Sequence, residues 1–526
     1  MSLPNVAEIL MLAFGGTSPP RDVLDRVEVN PPAGFTIFSY DNSESAEQMA
    51  ACTAALHAAN TSDLPLLIAS DQEGGQLIAL NGTTAFPGNM ALGATGDPDL
   101  TERVGRATAT EMLALGVNLN YAPIADLNTN PANPSLGIRS FGDDAGAVAS
   151  HVAAYVRGTR SAGVLATLKH FPGKGGAQVD SHFGLPVIHH DRDQLEKREL
   201  VPFRSGMAAG ADLVMTGHFA IPGITERDDI ASTLSAAVLT GLLREELGFE
   251  GAVITDAFDM GAIAQGDGQV VDAIAAIRAG VDLMLMTAKT QDRVEQGLAL
   301  ALHRGIIPDQ RFSNAVHRTR ALRRWVSRFE RPSFDTVASA EHRALAREAA
   351  ERSITLIRND DGILPLRLDG GARIAAVTPE PRDLTPADTS KKVVPALAAA
   401  LRSHHHSVDE YIVAHPPTGR DIAAMRERAV GYDLVVLGTI SGSMDDQQAE
   451  LARSLIDAGG PLVTVALRTP YDIVAYPAAT THVCTYGIRR PTMEALAAAL
   501  FGKIPFQGKL PVTVSGDYPV GYGRSA

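Results

Sequence analysis

Val164-Leu165-Ala166-Thr167-Leu168-Lys169-His170-Phe171-Pro172-Gly173-Lys174-Gly175-Gly176-Ala177-Gln178-Val179-Asp180-Ser181-His182 is the stretch on which the fold turns. The apolar run at 164–170 predicts a buried strand that stops at two basic residues. A glycine-rich polar loop of about a dozen residues follows, a length that compact domains rarely carry except at functional places. Residues 145–162 before it and 200–209 after it repeat their apolar side chains with helical periodicity. The unit is therefore helix, strand, long loop, helix.

Working outward, the same unit recurs. Apolar runs at 9–14, 35–40, 66–71, 117–122, 164–170, 213–218, 252–256 and 283–286 alternate with helical patterns such as 45–59, 235–247 and 271–279. Eight such units in one run predict a closed, TIM-like (β/α)8 barrel rather than an open sheet. A helical pattern at 310–328 carries the single tryptophan, Trp325, and ends before Arg331-Pro332, where the proline stops it. The expected organisation is a barrel over 1–330, a linker over 331–345 and a smaller α/β/α sandwich domain over 346–526. In that second domain a helix is expected at 342–357 and others at 448–458 and 492–501. Strands are expected at 374–377, 434–437, 462–467, 482–486 and 510–514.

Composition narrows the class. With 526 residues, 45% hydrophobic and 20% charged, the chain can build a large core. Its 46 basic against 60 acidic residues give a net charge of −14, which argues against nucleic acid or an anionic membrane as the main partner. The two cysteines, Cys52 and Cys484, lie far apart and outside any metal-ligand spacing, so two buried thiols are expected. No run is long enough to span a membrane, and the N-terminal residues lack the pattern of a secretory leader, so a cytoplasmic location is expected. His189-His190 and His404-His405-His406 lack helical spacing with a carboxylate, so neither a metal nor a cofactor is expected. The oligomeric state is left open.

In such a barrel, chemistry comes from strand ends and the loops after them. Four segments there carry polar residues with glycine. Ser70-Asp71-Gln72-Glu73-Gly74-Gly75-Gln76 offers Asp71 at a strand terminus, with Glu73 read as solvated. Gly137-Ile138-Arg139-Ser140 offers an arginine able to bind hydroxyls or hold a carboxylate. In the opening stretch, Asp180 stands two residues before His182, close enough to accept a hydrogen bond from the imidazole and fix its tautomer. Lys169 and His170 close the strand behind them. Finally, Asp256 in Val253-Ile254-Thr255-Asp256-Ala257-Phe258-Asp259-Met260 ends an apolar strand, where a carboxylate must meet solvent or a partner. Asp256 and His182 then sit on different loops of one barrel, as two groups flanking one bond would.

Together these segments resemble glycoside hydrolase family 3, in its bacterial β-N-acetylglucosaminidase branch. The likeness lies in Lys169-His170-Phe171-Pro172-Gly173, Asp180-Ser181-His182 and Thr255-Asp256-Ala257-Phe258-Asp259-Met260, with similar text at Asp71, at Arg139 and at Val214-Met215-Thr216-Gly217-His218. The resemblance implies Asp256 as nucleophile, His182 as general acid/base and Asp180 as its orienting partner. It implies that Asp71, Arg139, Lys169 and His170 grip the sugar hydroxyls and that His218 borders the same pocket. Lys174, Gln76 and Phe258 stand where the family usually has histidine, arginine and leucine, which leaves substrate preference open.

The function these readings imply is a retaining β-N-acetylhexosaminidase releasing terminal β-linked N-acetylglucosamine from small glycosides or cell-wall fragments. Three alternatives stay open: phosphorolysis at the same site, since a neutral imidazole does not repel phosphate as a carboxylate would; another β-glycosidase specificity; and a sugar-binding protein with a disabled site. The expected partner is a small carbohydrate.

Overall fold

A computed structural model describes residues 3–287 and 290–525. Eight strands run parallel around a barrel: β1 (Leu10–Leu12), β2 (Gly34–Ile37), β3 (Leu67–Ser70), β4 (Leu119–Asn120), β5 (Leu165–Phe171), β6 (Leu213–Thr216), β7 (Ala252–Thr255) and β8 (Met284–Leu285). Each pairs with its sequence neighbour, and β8 returns to β1 through Leu10 opposite Met284. Leu283 bridges Ile254, which completes the circuit between β7 and β8.

Strand periodicity sorts the side chains. Leu67, Ala69, Leu165, Leu213, Met215 and Ile254 pack in the cluster inside the barrel. Their neighbours Leu66, Ile68, Val214 and Val253 join the outer core against the helices. A period of two therefore carries inward the next residue along three strands, namely Asp71 after Ala69, Lys169 after Leu165 and Thr167, and Asp256 after Ile254. The outer helices include Ala46–Ala59, Ala145–Ser161, Leu200–Ala208, Gly268–Ala279 and Asp309–Val326.

The second unit is an open six-stranded sheet. Its strands are β9 (Thr355–Asn359), β10 (Ile374–Pro379), β11 (Val408–Val413), β12 (Leu434–Thr439), β13 (Leu462–Ala466) and β14 (Thr481–Cys484), ordered β9-β14-β13-β12-β10-β11. Only β9 is antiparallel. From β10 the chain first steps outward to β11 and then back across to β12. The crevice beside β10 is thus the point where the winding reverses, the usual place for a ligand in such sheets.

Three expectations for this unit change. The helix expected at 342–357 is Ala340–Ser353, and the chain then turns directly into β9. β11 was not expected, because its Val-Asp-Glu-Tyr-Ile-Val sequence at the sheet edge leaves the middle residues exposed and shows no apolar run. The run at 510–514 is not a ladder strand. Its Pro511 has no N–H to donate and instead accepts from Asp143 N at 3.1 Å, while Thr513 N donates to Asp143 Oδ2 at 2.9 Å. This segment fastens the second unit to the barrel. Cys52 and Cys484 are both buried and free. Among the described residues no helix is long and apolar enough to cross a membrane.

Candidate active site

A cavity of about 460 Å3 opens at the C-terminal mouth of the barrel. Asp71, Arg139, Lys169, His170, His182 and Asp256 all line it. Six residues from four strand-end segments thus meet on one space. Asp180 stands behind His182, and His218 alone of the eight expected residues is turned away. Its ring lies under the chain at Ala257, with Nε2 3.2 Å from Ala257 O and Nδ1 2.7 Å from Thr233 Oγ1. The phase of β6 explains it: Leu213 and Met215 point inward, so Gly217 does too and His218 points out.

The floor is an ion-pair network. Arg139 donates from Nε and Nη2 to the two oxygens of Glu73 at 2.9 and 2.8 Å, and from Nη1 to Ser135 O. Lys169 Nζ reaches Glu73 Oε1 at 2.7 Å and also pairs with Asp71 Oδ1. Glu73 is therefore not solvated, as its sequence context suggested, but 4% exposed and doubly paired. Burial works to raise its pKa, yet Arg139 and Lys169 outweigh burial and hold the carboxyl at about 2. Arg139 and Lys169 face the cavity with their remaining donors already oriented.

Strand β5 would ordinarily send Lys169 and His170 to opposite faces. A bulge between Lys169 and Phe171 breaks its pairing with β6 and lets both reach the cavity. His170 is fixed by Asp126, whose Oδ2 accepts from Nδ1 at 2.8 Å and whose two oxygens both accept from His170 N at 3.1 Å. Burial, then Lys174 and Arg139, push the His170 pKa well below its ordinary value. That shift favours a neutral ring whose Nδ1–H donates to Asp126, which leaves Nε2 as an acceptor 3.8 Å from Asp256 Oδ2. Burial in turn raises Asp126 to about 6, against the pull of Lys174 and the backbone amides.

The remaining pair is more open. Asp180 Oδ1 accepts from His182 Nδ1 at 2.7 Å and from His182 N at 3.0 Å, which leaves Nε2 free. Burial tends to raise the Asp180 carboxyl, but the hydrogen bonds and charge of His182 bring it below the ordinary range. The loop is tied to the Asp256 segment through Gly261 N to His182 O and Ala262 N to Ser181 O, both 3.1 Å. Among the described residues, Asp256 accepts only from Ala257 N, at 2.8 Å. Burial would raise its pKa, but His218, Lys174 and His182 overcome that and hold it below the ordinary value. An ionised carboxylate with an open oxygen, an imidazole with a fixed tautomer and a set of oriented hydroxyl clamps suit displacement at an acetal carbon with proton transfer to the leaving oxygen. Among the described residues no three His, Cys, Asp or Glu side chains are grouped to share a metal ion.

The second unit completes the wall. The segment after β10 supplies Asp383, Thr385, Asp388 and Thr389 to the cavity. It is anchored on Gln76, whose Nε2 donates to Ala387 O at 3.0 Å and whose Oε1 accepts from Arg468 at 2.6 Å; Arg468 also pairs with Asp388 at 2.7 Å. Gln76 therefore serves the contact between the two units and does not line the cavity, whereas Lys174 does. Sequence reasoning missed Glu73, Asp126 and this segment. Glu73 carried a faint signal, standing two residues beyond Asp71; Asp126 and residues 383–392 carried none.

The chain matches the glycosyl hydrolase family 3 N-terminal domain over residues 7–322 and the family 3 C-terminal domain over 354–520. It is 30% identical to β-hexosaminidase A of Pseudoalteromonas piscicida across 95% of this chain and 92% of that protein. It is also 30% identical to a β-N-acetylglucosaminidase/β-glucosidase of Cellulomonas fimi, over 86% and 84%. The solved family 3 β-N-acetylglucosaminidase of Paenibacillus sp. str. FPU-7 superposes with a TM-score of 0.91 at 35% identity, covering 97% of this chain and 98% of that one.

Proposed function

The chain belongs to glycosyl hydrolase family 3, and from that premise we propose that it is a retaining β-N-acetylhexosaminidase in which Asp256 is the nucleophile and His182 the general acid/base. The observation that carries the reading is the Asp180–His182 pair facing the same cavity as an Asp256 carboxylate held ionised. Asp256 attacks the anomeric carbon while protonated His182 gives its Nε2 proton to the departing oxygen, and the sugar becomes esterified to Asp256. The neutral imidazole then takes a proton from water, whose oxygen attacks the same carbon and frees the carboxylate. Two inversions retain the β configuration. Asp71, Arg139, Lys169 and His170 hold the sugar hydroxyls, and His218 supports the Asp256 loop from behind.

Relatives named for cleaving β-hexosaminides and β-N-acetylglucosaminides favour terminal N-acetylglucosamine as the sugar, on small glycosides such as cell-wall fragments. The walled cavity fits a small ligand. We place the division between the two units at 331–345. The test compares aryl N-acetyl-β-glucosaminide with the matching β-glucoside and follows the product anomer by NMR. Faster cleavage of the plain glucoside would sink the substrate assignment, and initial release of the α-anomer would sink retention.

A further inference from the structure

Among the described residues, five lysine and arginine side chains line the cavity: Arg139, Lys169, Lys174, Lys391 and Lys392. Four of them are engaged within the protein. Arg139 and Lys169 are held by Glu73 and Asp71, Lys391 pairs with Asp383 at 3.0 Å, and Lys392 donates to Ser39 O at 2.7 Å. Lys174 differs. Its backbone is fixed, with N donating to Asp126 at 2.8 Å and O accepting from Asn133 at 3.0 Å, but no described residue gives its ammonium a hydrogen bond or an ion pair. The residue is only 4% exposed.

A buried ammonium without a partner is costly, and proteins rarely keep one unless something else meets it. The nearby carboxylates are committed elsewhere. Asp126 holds His170 and Asp180 holds His182. Asp256 is the remaining counter-charge, and on the mechanism above it is neutralised when the sugar becomes esterified to it. Of the carboxylates whose charge acts on Lys174, namely Asp256, Asp126 and Asp180, none is then free to pair with it.

We propose that Lys174 is an oxyanion-binding group of this cavity, taking a carboxylate or phosphate group that sits beside the scissile bond. The oxyanion has two sources, a substituent on the glycoside itself or a free phosphate that enters as acceptor. In the second case a phosphate oxygen attacks the anomeric carbon, the bond to Asp256 breaks, and the carboxylate leaves with that electron pair. The product is a sugar 1-phosphate, and neither oxidant nor extra proton is needed. The inference deepens the reading above and depends on it for the position of the bond. Burial and the charge of Arg139 also depress the Lys174 pKa, as expected for a cation whose partner arrives with the ligand.

The test uses the full chain as wild type, Lys174→Met and Lys174→Arg. Calorimetric titration with inorganic phosphate reads anion binding without turnover. In parallel, KM is measured for two β-N-acetylglucosaminides that differ only in a carboxylate on the aglycone. The expected result is that wild type binds phosphate, or prefers the carboxylate glycoside, at least tenfold over Lys174→Met, with Lys174→Arg retaining most of the difference. Loss of phosphate binding together with sugar 1-phosphate formation identifies the free anion, and loss of the KM preference alone identifies the substituent. The proposal is overturned if wild type shows neither effect, or if Lys174→Met keeps both while its unfolding midpoint matches wild type. Phosphate binding without cleavage of any glycoside would instead overturn the proposed function and leave the anion site standing.

Discussion

The floor of the cavity and its reactive edge are built from the same residue types and behave differently. On the floor, Arg139, Lys169, Asp71 and Glu73 satisfy one another, and Glu73 is 4% exposed. At the edge, Asp256 accepts one backbone hydrogen bond, and the side chain of His182 is 27% exposed with one ring nitrogen engaged. Groups that grip are fixed before the ligand arrives, which lowers the cost of ordering on binding. Groups that react keep an oxygen or a nitrogen open. The contrast predicts that edge substitutions remove rate and that floor substitutions remove the fold of the site.

The largest effect is expected from Asp256→Ala. Turnover should fall roughly 1,000-fold or more, as for loss of other covalent nucleophiles, with stability unchanged in urea unfolding. Azide should restore part of the activity as the α-glycosyl azide; residual turnover near wild type would break the comparison at its reactive side. Next comes His182→Ala, with a fall of roughly 100- to 10,000-fold on poor leaving groups and much less on nitrophenolate, which needs no proton. An equal loss on both leaving groups would show that His182 does not protonate the departing oxygen.

On the floor, Glu73→Gln should cost about 3–5 kcal/mol of stability, because Arg139 and Lys169 would be left buried and short of a partner. The same carboxyl has its pKa depressed from 4.5 to about 2 on folding. Its contribution is therefore complete above the unfolded value and is lost as pH falls from about 4.5 toward 2. Wild-type urea midpoints should drop across that window, and Glu73→Gln should flatten the slope. A variant with unchanged midpoints would mean the floor is not held by this network. The smallest effect is expected from Gln76→Ala, which releases the segment after β10 by deleting side-chain hydrogen bonds to Ala387 and Arg468. Two such bonds at about 1 kcal/mol each suggest a KM increase of roughly 5- to 30-fold with kcat nearly constant. A fall in kcat alone would mean that the segment does not contact the sugar.

Much of this was legible along the chain because the barrel is a local pattern repeated. Each strand announces itself by an apolar run of the right length and each helix by its period, and neither depends on a distant residue. Placing Asp71, Lys169 and Asp256 at strand ends followed directly, since a period of two continues past the last ladder residue. His182 was legible because its partner, Asp180, is two residues away. The second unit was harder to read. β9 follows its helix without a break in apolar character, so the two could not be separated, and the edge strand β11 has polar residues where a buried strand has none.

By itself, then, the sequence determined the alternation of strands and helices, the inward phase at three strand ends and the dyad of Asp180 and His182, all set by contacts between near neighbours. Only the tertiary structure decided that Glu73 is buried rather than solvated, that Asp126 locks His170, that Gln76 serves the contact between units while Lys174 faces the cavity, and that the segment after β10 closes the mouth. Each of these depends on charges and backbone groups brought together from distant parts of the chain. A buried charge is defined by what lies across from it, and that neighbour exists only once the chain has closed.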